Sequence, residues 1–237
     1  MGPTAYSRAV SSLLSTSFAL LFCFGARASP LPTNDQNPFL AGFGLPRSLD
    51  ARLPASSAWA LDFNWASTAL VEDARGEFLV ADAETRELRL TYGHRVAERW
   101  AIEVQLPYRH TSGGSLDSFI DDWHDFFGLP EGARPLQAED RLHLYYSRND
   151  VTLIEHYTTI EGLMDASLSI IYALHSSERS AVSAALSVKA PTGKDHWLNS
   201  SGAVDVSAVI SGEHRFGDRW TVSGQAAATS LRKGDLL

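Results

Sequence analysis

The chain has 237 residues, 44% of them hydrophobic, a formal net charge of −8 and a single cysteine. No basic patch stands out that would favour nucleic acid or an anionic lipid surface. Beyond Ala28 the chain contains no run of eighteen apolar residues, which argues against a helical membrane protein.

The chain opens on a leader pattern. Ala9–Phe24 is apolar and follows Arg8, and Ala26-Arg27-Ala28 carries small residues where a signal peptidase reads them. Residues 1–28 therefore read as a cleaved signal peptide, with Ser29 first in the mature chain. Cys23 lies inside the leader, and Phe22 before it is too bulky for lipoprotein processing. A mature chain without cysteine suits an oxidising envelope and excludes disulfide and thiol chemistry. Residues 29–55 begin SPLPTNDQNPFLAGFGLPRS, rich in Pro, Gly and Asn, and read as an irregular segment. It either plugs or lines a barrel mouth or trails as a weakly ordered tail.

From residue 56 onward the governing pattern has period two. Trp59, Leu61, Phe63 and Trp65 alternate with Ala60, Asp62 and Asn64. Leu88, Leu90 and Tyr92 alternate with Arg89 and Thr91; Trp100, Ile102, Val104, Leu106 and Tyr108 alternate with Glu103, Gln105 and Arg109. Leu142, Leu144 and Tyr146 are set against Arg141, His143 and Tyr145, a weaker strand covers Val151–Tyr157, and Leu168, Ile170 and Tyr172 oppose Ser167, Ser169 and Ala173. In Ala181–Lys189 the residues Val182, Ala184, Leu186 and Val188 share one face; Val204–Ile210 and Trp220–Ala228 complete the series.

One face of nearly every strand is apolar and the other is small and polar. A soluble sandwich reverses this arrangement and shows more Lys and Glu on its outside. The expected fold is an all-β, antiparallel transmembrane outer-membrane β-barrel of meander topology, occupying residues 56–237. Because only half of each strand is apolar, a mean hydropathy of −0.12 is compatible with insertion.

Turns near Ala97–Arg99, Arg148–Asp150, Ser176–Ser180 and Gly217–Arg219 read as tight, while Ala69–Gly76, Thr111–Glu139, Thr159–Asp165 and Pro191–Gly202 read as long loops. Such barrels carry short periplasmic turns and long outer loops. Two tight turns repeat, Glu98-Arg99-Trp100 and Asp218-Arg219-Trp220, each placing a Trp where an aromatic belt sits. About nine strands are visible, whereas single-chain barrels have even numbers, and the terminal Lys233-Gly234-Asp235-Leu236-Leu237 lacks an aromatic residue. The expectation is a truncated sequence with ten to twelve or more strands in the intact protein.

Within Thr111–Glu139 the period changes. Leu116, Phe119, Ile120, Trp123 and Phe127 recur at helical spacing after Ser115, a candidate N-cap, and before Gly128 and Pro130. This short helix is expected to gate the barrel mouth, or else to pack on neighbouring loops. Its polar face holds Asp117, Asp121, His124 and Asp125, weak candidates for a cation and otherwise a solvated face. By strand parity Asp62, Arg89, Glu103, Arg141, His143, Lys189 and Asp205 line the lumen, setting selectivity or pairing in a filled interior. Ser and His are too scattered to define a catalytic triad, and Ala190-Pro191-Thr192-Gly193-Lys194 lacks the frame of a phosphate-binding loop. No enzyme and no cofactor is expected.

Three stretches, Pro30-Leu31-Pro32-Thr33 with Asn34–Phe39, Gln105–His110 leading into Gly113–Asp117, and His124–Pro130, together resemble a family of mostly proteobacterial envelope proteins defined only as domain of unknown function 3187. The resemblance spans nearly the whole mature chain and implies an outer-membrane location but no activity; members tend to be longer. Lys189–Lys194 with Ser200-Ser201-Gly202 and Asp205 also resembles outer-membrane barrels that take up hydrophobic or aromatic compounds. The expected function is a passive channel or uptake pore for small molecules, with lipid as its surroundings. The rival is a structural or assembly protein with a filled barrel that binds through its outer loops.

Overall fold

The computed structural model describes residues 34–130, 138 and 140–234. The leader, its cleavage site, Pro30–Thr33, most of 131–139 and Asp235–Leu237 lie outside the described residues. The remainder forms a single ten-stranded antiparallel sheet, curled into a half-barrel, with one α-helix.

The strands are β1 (Ser57–Ala74), β2 (Glu77–Ala97), β3 (Trp100–Ser112), β4 (His143–Arg148), β5 (Val151–His156), β6 (Ile160–Leu163), β7 (Ala166–Ser176), β8 (Ser180–Ala190), β9 (Asp205–Phe216) and β10 (Trp220–Ser230). Helix α1 (Asp117–Phe127) lies between β3 and β4. The pairing simplifies this list. β3 ends with Ser112 opposite Glu84, and β4 begins with His143 opposite Asp82, so both run along one side of β2 in one lane. β5, β6 and β7 likewise share the next lane, with Met164 N–H donating to Pro107 O at 2.9 Å across the β6–β7 break. Ten strands thus occupy seven lanes in meander order. The described β1 and β10 each pair on one side only, and the sheet is open between them.

This lane structure corrects three expectations. The sequence reading missed β6, a four-residue piece whose Gly162 interrupts the alternation. The loop expected at Ala69–Gly76 is absent, because β1 continues to Ala74 and turns on Arg75 and Gly76, both at positive φ (55° and 80°). That pair of left-handed residues is a type I′ hairpin turn, whose twist matches the strands; the polar EDARGE stretch misled because backbone pairing continues after the apolar pattern stops. Asn149 and Asp150 (φ 49° and 63°) turn β4 into β5 in the same way, and Asn149 N–H donates to Gly76 O at 2.7 Å. The third correction concerns Thr159–Asp165, which is strand and bulge rather than a long loop. The expected alternation of short and long connections therefore does not hold: of the three connections at this end of the sheet, only 191–204 is long.

The convex face is apolar and bare. Trp59, Leu61, Phe63, Leu88, Leu106, Leu168, Ile170, Leu186 and Ile210 all expose more than a third of their surface, Leu186 reaching 51%. The concave face carries the core. Phe39 packs there with Ala81, Ala83, Leu144, Tyr146, Ile154, Ile160 and Leu198, while Leu49 and Leu53 rest on Ala101, Ile171, Ala185 and Val209. No helix among the described residues is long and apolar enough to cross a membrane.

Candidate functional site

Residues 34–56 form no strand; they run across the concave face and are fastened to it by the polar side chains that strand alternation aims inward. Two fastenings dominate.

The first centres on Glu87. Its carboxylate accepts from Arg89 and, at 2.8 Å, from Arg109, the residue paired with it across β2–β3. The three side chains are 0%, 2% and 1% exposed. Each guanidinium then reaches the N-terminal segment: Arg89 donates to Asn34 Oδ1 (2.8 Å) and Arg109 to Gln36 Oε1 (3.4 Å). Arg47 of the segment donates to Gln105 Oε1 at 3.3 Å. Burial, and then the nearby Arg89 charge, lower its pKa to about 10, so it remains a cation at neutral pH.

The second centres on Lys189. Its Nζ donates to Gly42 O (2.9 Å), Asp165 Oδ2 (2.6 Å) and Ser201 Oγ (2.6 Å), and lies 3.1 Å from Asp205 Oδ2. Asp205 Oδ2 also accepts from Gly44 N–H (2.9 Å), and Asp165 accepts from Gly193 N–H (2.9 Å) and Ser200 Oγ–H (2.9 Å). One ammonium thus ties together the segment, β8, β9, the β6–β7 bulge and the 191–204 connection. Lower down, Arg52 pairs with Glu213, and Gln225 bonds both Leu49 N–H and Arg47 O at 2.8 Å.

Between segment and wall lies a small open cleft lined by Arg47, Gln105, Ser167, Ser187, Lys189 and Ser207 among others. Gly44 lets the segment approach this closely, since a Cβ there would stand 2.6 Å from Asp205 Cβ. Gly44→Ala is therefore expected to destabilise the fold by about 1–3 kcal/mol through overpacking, read as a lower urea midpoint.

Of the residues expected to line the lumen, Asp62, Arg89, Glu103, Lys189 and Asp205 lie on the concave face, and Arg89, Lys189 and Asp205 are consumed in fastening the segment. Arg141 and His143 do not line it. Leu142, just before β4, and Leu144 and Tyr146 within it turn inward to the core, and His143 stacks outside on Tyr157 (4.8 Å), with Arg141 over the same ring (5.7 Å). The intervening insertion resets parity, so β4 takes its facing from β2, where Ala81 opposes Leu144.

The gate expectation for Leu116, Phe119, Ile120, Trp123 and Phe127 is also displaced. The insertion leaves the wall on the convex side, where Glu84 Oε2 accepts from Ser115 N–H (2.8 Å) and Leu116 N–H (3.0 Å). Ser115 is not the N-cap; Leu116 is, without a side-chain cap bond, and Gly128 closes the helix at φ 63°. Asp117 Oδ2 accepts from Asp140 N–H at 2.8 Å, and among the described residues no group of three or more acidic, His or Cys side chains is placed to hold a metal, Asp121, His124 and Asp125 included.

Sequence reasoning missed Glu87, Arg109, Asp165 and Arg47. Glu87 and Arg109 share the parity of Arg89 and Glu103, the signal that could have found them; Arg47 and Asp165 lie outside regular strands, where parity says nothing.

A curled antiparallel half-barrel, apolar outside, with buried charges and a small apolar core inside and occupied by its own N-terminal segment, is the class of protein these features define. Within it, the chain belongs to the family of proteins of unknown function DUF3187, whose model matches residues 18–237. No curated protein and no solved structure matches the chain.

Proposed function

We propose that this sheet is the wall of an outer-membrane β-barrel that serves as a gated uptake pore for small solutes, closed at rest by residues 34–56. The observation that carries the reading is the division of the sheet: bare hydrophobic side chains on the convex face, and buried charges spent on the N-terminal segment on the concave face. In water such a convex face is an aggregation liability; in lipid it is a solvated surface.

The dimensions agree. Trp59 and Trp65 bracket the apolar outward residues of β1, and Trp100 and Tyr108 bracket those of β3. From Trp100 to Tyr108 the strand runs about 27 Å at about 3.4 Å per residue. At a tilt of about 40° that is about 21 Å of height, near the apolar band of about 25 Å in such barrels. The lower ends carry paired rings, Trp59 with Tyr92 (4.4 Å) and Trp100 with Tyr172 (4.7 Å), as an interfacial girdle requires. A membrane wall also requires partner strands on the free edges of β1 and β10.

In planar bilayers the full chain is expected to show rare, small openings, and Lys189→Met to show frequent ones, because loss of the ammonium frees the segment at Gly42 and leaves Asp165 and Asp205 without their cation. A wild-type chain that conducts like an open porin would contradict closure at rest. Silence of both proteins together with absent solute flux would favour a filled barrel of structural role, which the Glu87 and Lys189 clusters also suit.

A further inference from the structure

The insertion that carries α1 has an unusual origin. It does not cap a hairpin; it interrupts a lane, leaving after Ser112 and returning at His143 two positions further along β2. It departs on the face of the sheet that bears Trp65 of β1 and Arg86 and Leu88 of β2, since Glu84, which receives the N–H groups of Ser115 and Leu116, shares that face and is 2% exposed. Asp117 and Asp140 join its two legs.

Among the described residues nothing covers the apolar side of the helix. None of its residues is buried, and Phe119, Trp123, Phe126 and Phe127 are exposed, Phe126 by 81%. At 100° per residue Leu116, Phe119, Ile120, Trp123, Phe126 and Phe127 fall in one stripe about 120° wide, and Asp117, Asp121, His124 and Asp125 lie opposite. Residues 113–130 contain no Lys or Arg, so attraction to anionic headgroups plays no part. What the stripe offers is apolar and aromatic area alone.

Its height decides the occupant. Ser112 lies four residues beyond Tyr108, about 10 Å higher on a strand tilted by about 40°, and only two beyond the level of Trp65, which is joined through Arg86 to His110, so the insertion leaves the wall at the headgroup level, from which a stripe sunk by about 5–10 Å reaches the acyl boundary. Across the sheet, Arg86 covers Trp65 at 4.9 Å in the same zone.

The geometry points to α1 as an in-plane anchor: its aromatic stripe lies in the interface of the bilayer leaflet that surrounds the upper rim, continuing the convex apolar surface, with the Asp row turned to water. This rests on the membrane reading above. The occupant is zwitterionic lipid at the acyl–headgroup boundary, not the barrel mouth.

The test uses the full chain folded into phosphatidylcholine vesicles with acyl chains brominated near the headgroup. Trp123 is one of six tryptophans, and its signal is the difference between wild type and Trp123→Phe. The Trp123 component is expected to be quenched, and to lose its quenching in Phe119→Asp/Phe126→Asp, which leaves the girdle tryptophans quenched because neither Phe is part of the core. Girdle tryptophans quenched and Trp123 not would overturn the anchor alone. Quenching of none of them would overturn the membrane reading itself. Quenching of Trp123 that survives the double Asp variant would mean the stripe is not what holds the helix there, and would overturn the anchor too.

Discussion

Glu87→Ala is expected to lower the unfolding free energy by about 3–5 kcal/mol, the usual loss when one partner of a buried ion cluster is removed. The carboxylate stands between Arg89 and Arg109, all three nearly inaccessible, and Arg47 adds a further, half-buried cation nearby. Without it, guanidiniums face one another in a region of low dielectric, where repulsion is screened little. The loss extends beyond the pair, because Arg89 and Arg109 are held by Glu87 in the poses that meet Asn34 and Gln36. Glu87→Gln keeps the shape and one acceptor and is expected to fall between the two. Removing Glu87 and Arg109 together (Glu87→Leu/Arg109→Met) is expected to recover part of the loss, since an apolar replacement leaves fewer uncompensated charges. Urea midpoints of the folded protein in detergent give all three values. A loss below about 1 kcal/mol for Glu87→Ala, the range of exposed ion pairs, would mean that water reaches the cluster.

The sequence carried the sheet well wherever one strand could be read alone. In Ala181–Lys189 the alternation assigns Leu186 outward and Lys189 inward, as the structure has them, because the side-chain period of a strand is a local property. Family membership was legible as well, through short segments spread over the chain. Legibility ended where facing depends on a neighbour. β4 is six residues long and follows thirty residues of insertion, so its own pattern is equally consistent with either side; only its ladder with β2 decides that Leu144 faces Phe39 and His143 does not.

Helix α1 shows the same limit one level up. Its period was plain, yet its place was not, because a single carboxylate, Glu84, fixes the side on which the insertion leaves the wall. Glu84 reads in sequence as one more charged residue between Ala83 and Thr85. The N-terminal segment was open between a plug and a loose tail for a related reason. Its polar partners, Lys189 and Asp205, lie more than 140 residues away, and nothing local in Gly42 or Gly44 announces that their small size admits the wall.

Those distant partners make Lys189→Met the most telling substitution for the closed interior. The wild-type ammonium neutralises Asp165 and Asp205, whose side chains are 4% and 1% exposed, and holds Gly42 O and Ser201 Oγ at the same point. Met fills much of the volume but leaves both carboxylates buried without a cation, a defect of about 3–5 kcal/mol. The structure can relieve it by local opening at less expense than global unfolding, because the segment 34–56 contributes no strand to the sheet. Cleavage by trypsin after Arg47 and Arg52 reads that opening. Both sites are expected to be protected in the wild type and cut in the variant, while the strands stay resistant and the band migrates as a folded species on unheated gels. Cleavage throughout the sheet would mean instead that Lys189 supports the whole wall. Persistent protection at Arg47 would show that the Glu87 cluster and the Arg52–Glu213 pair suffice to seat the segment, and closure of the interior would no longer hinge on Lys189.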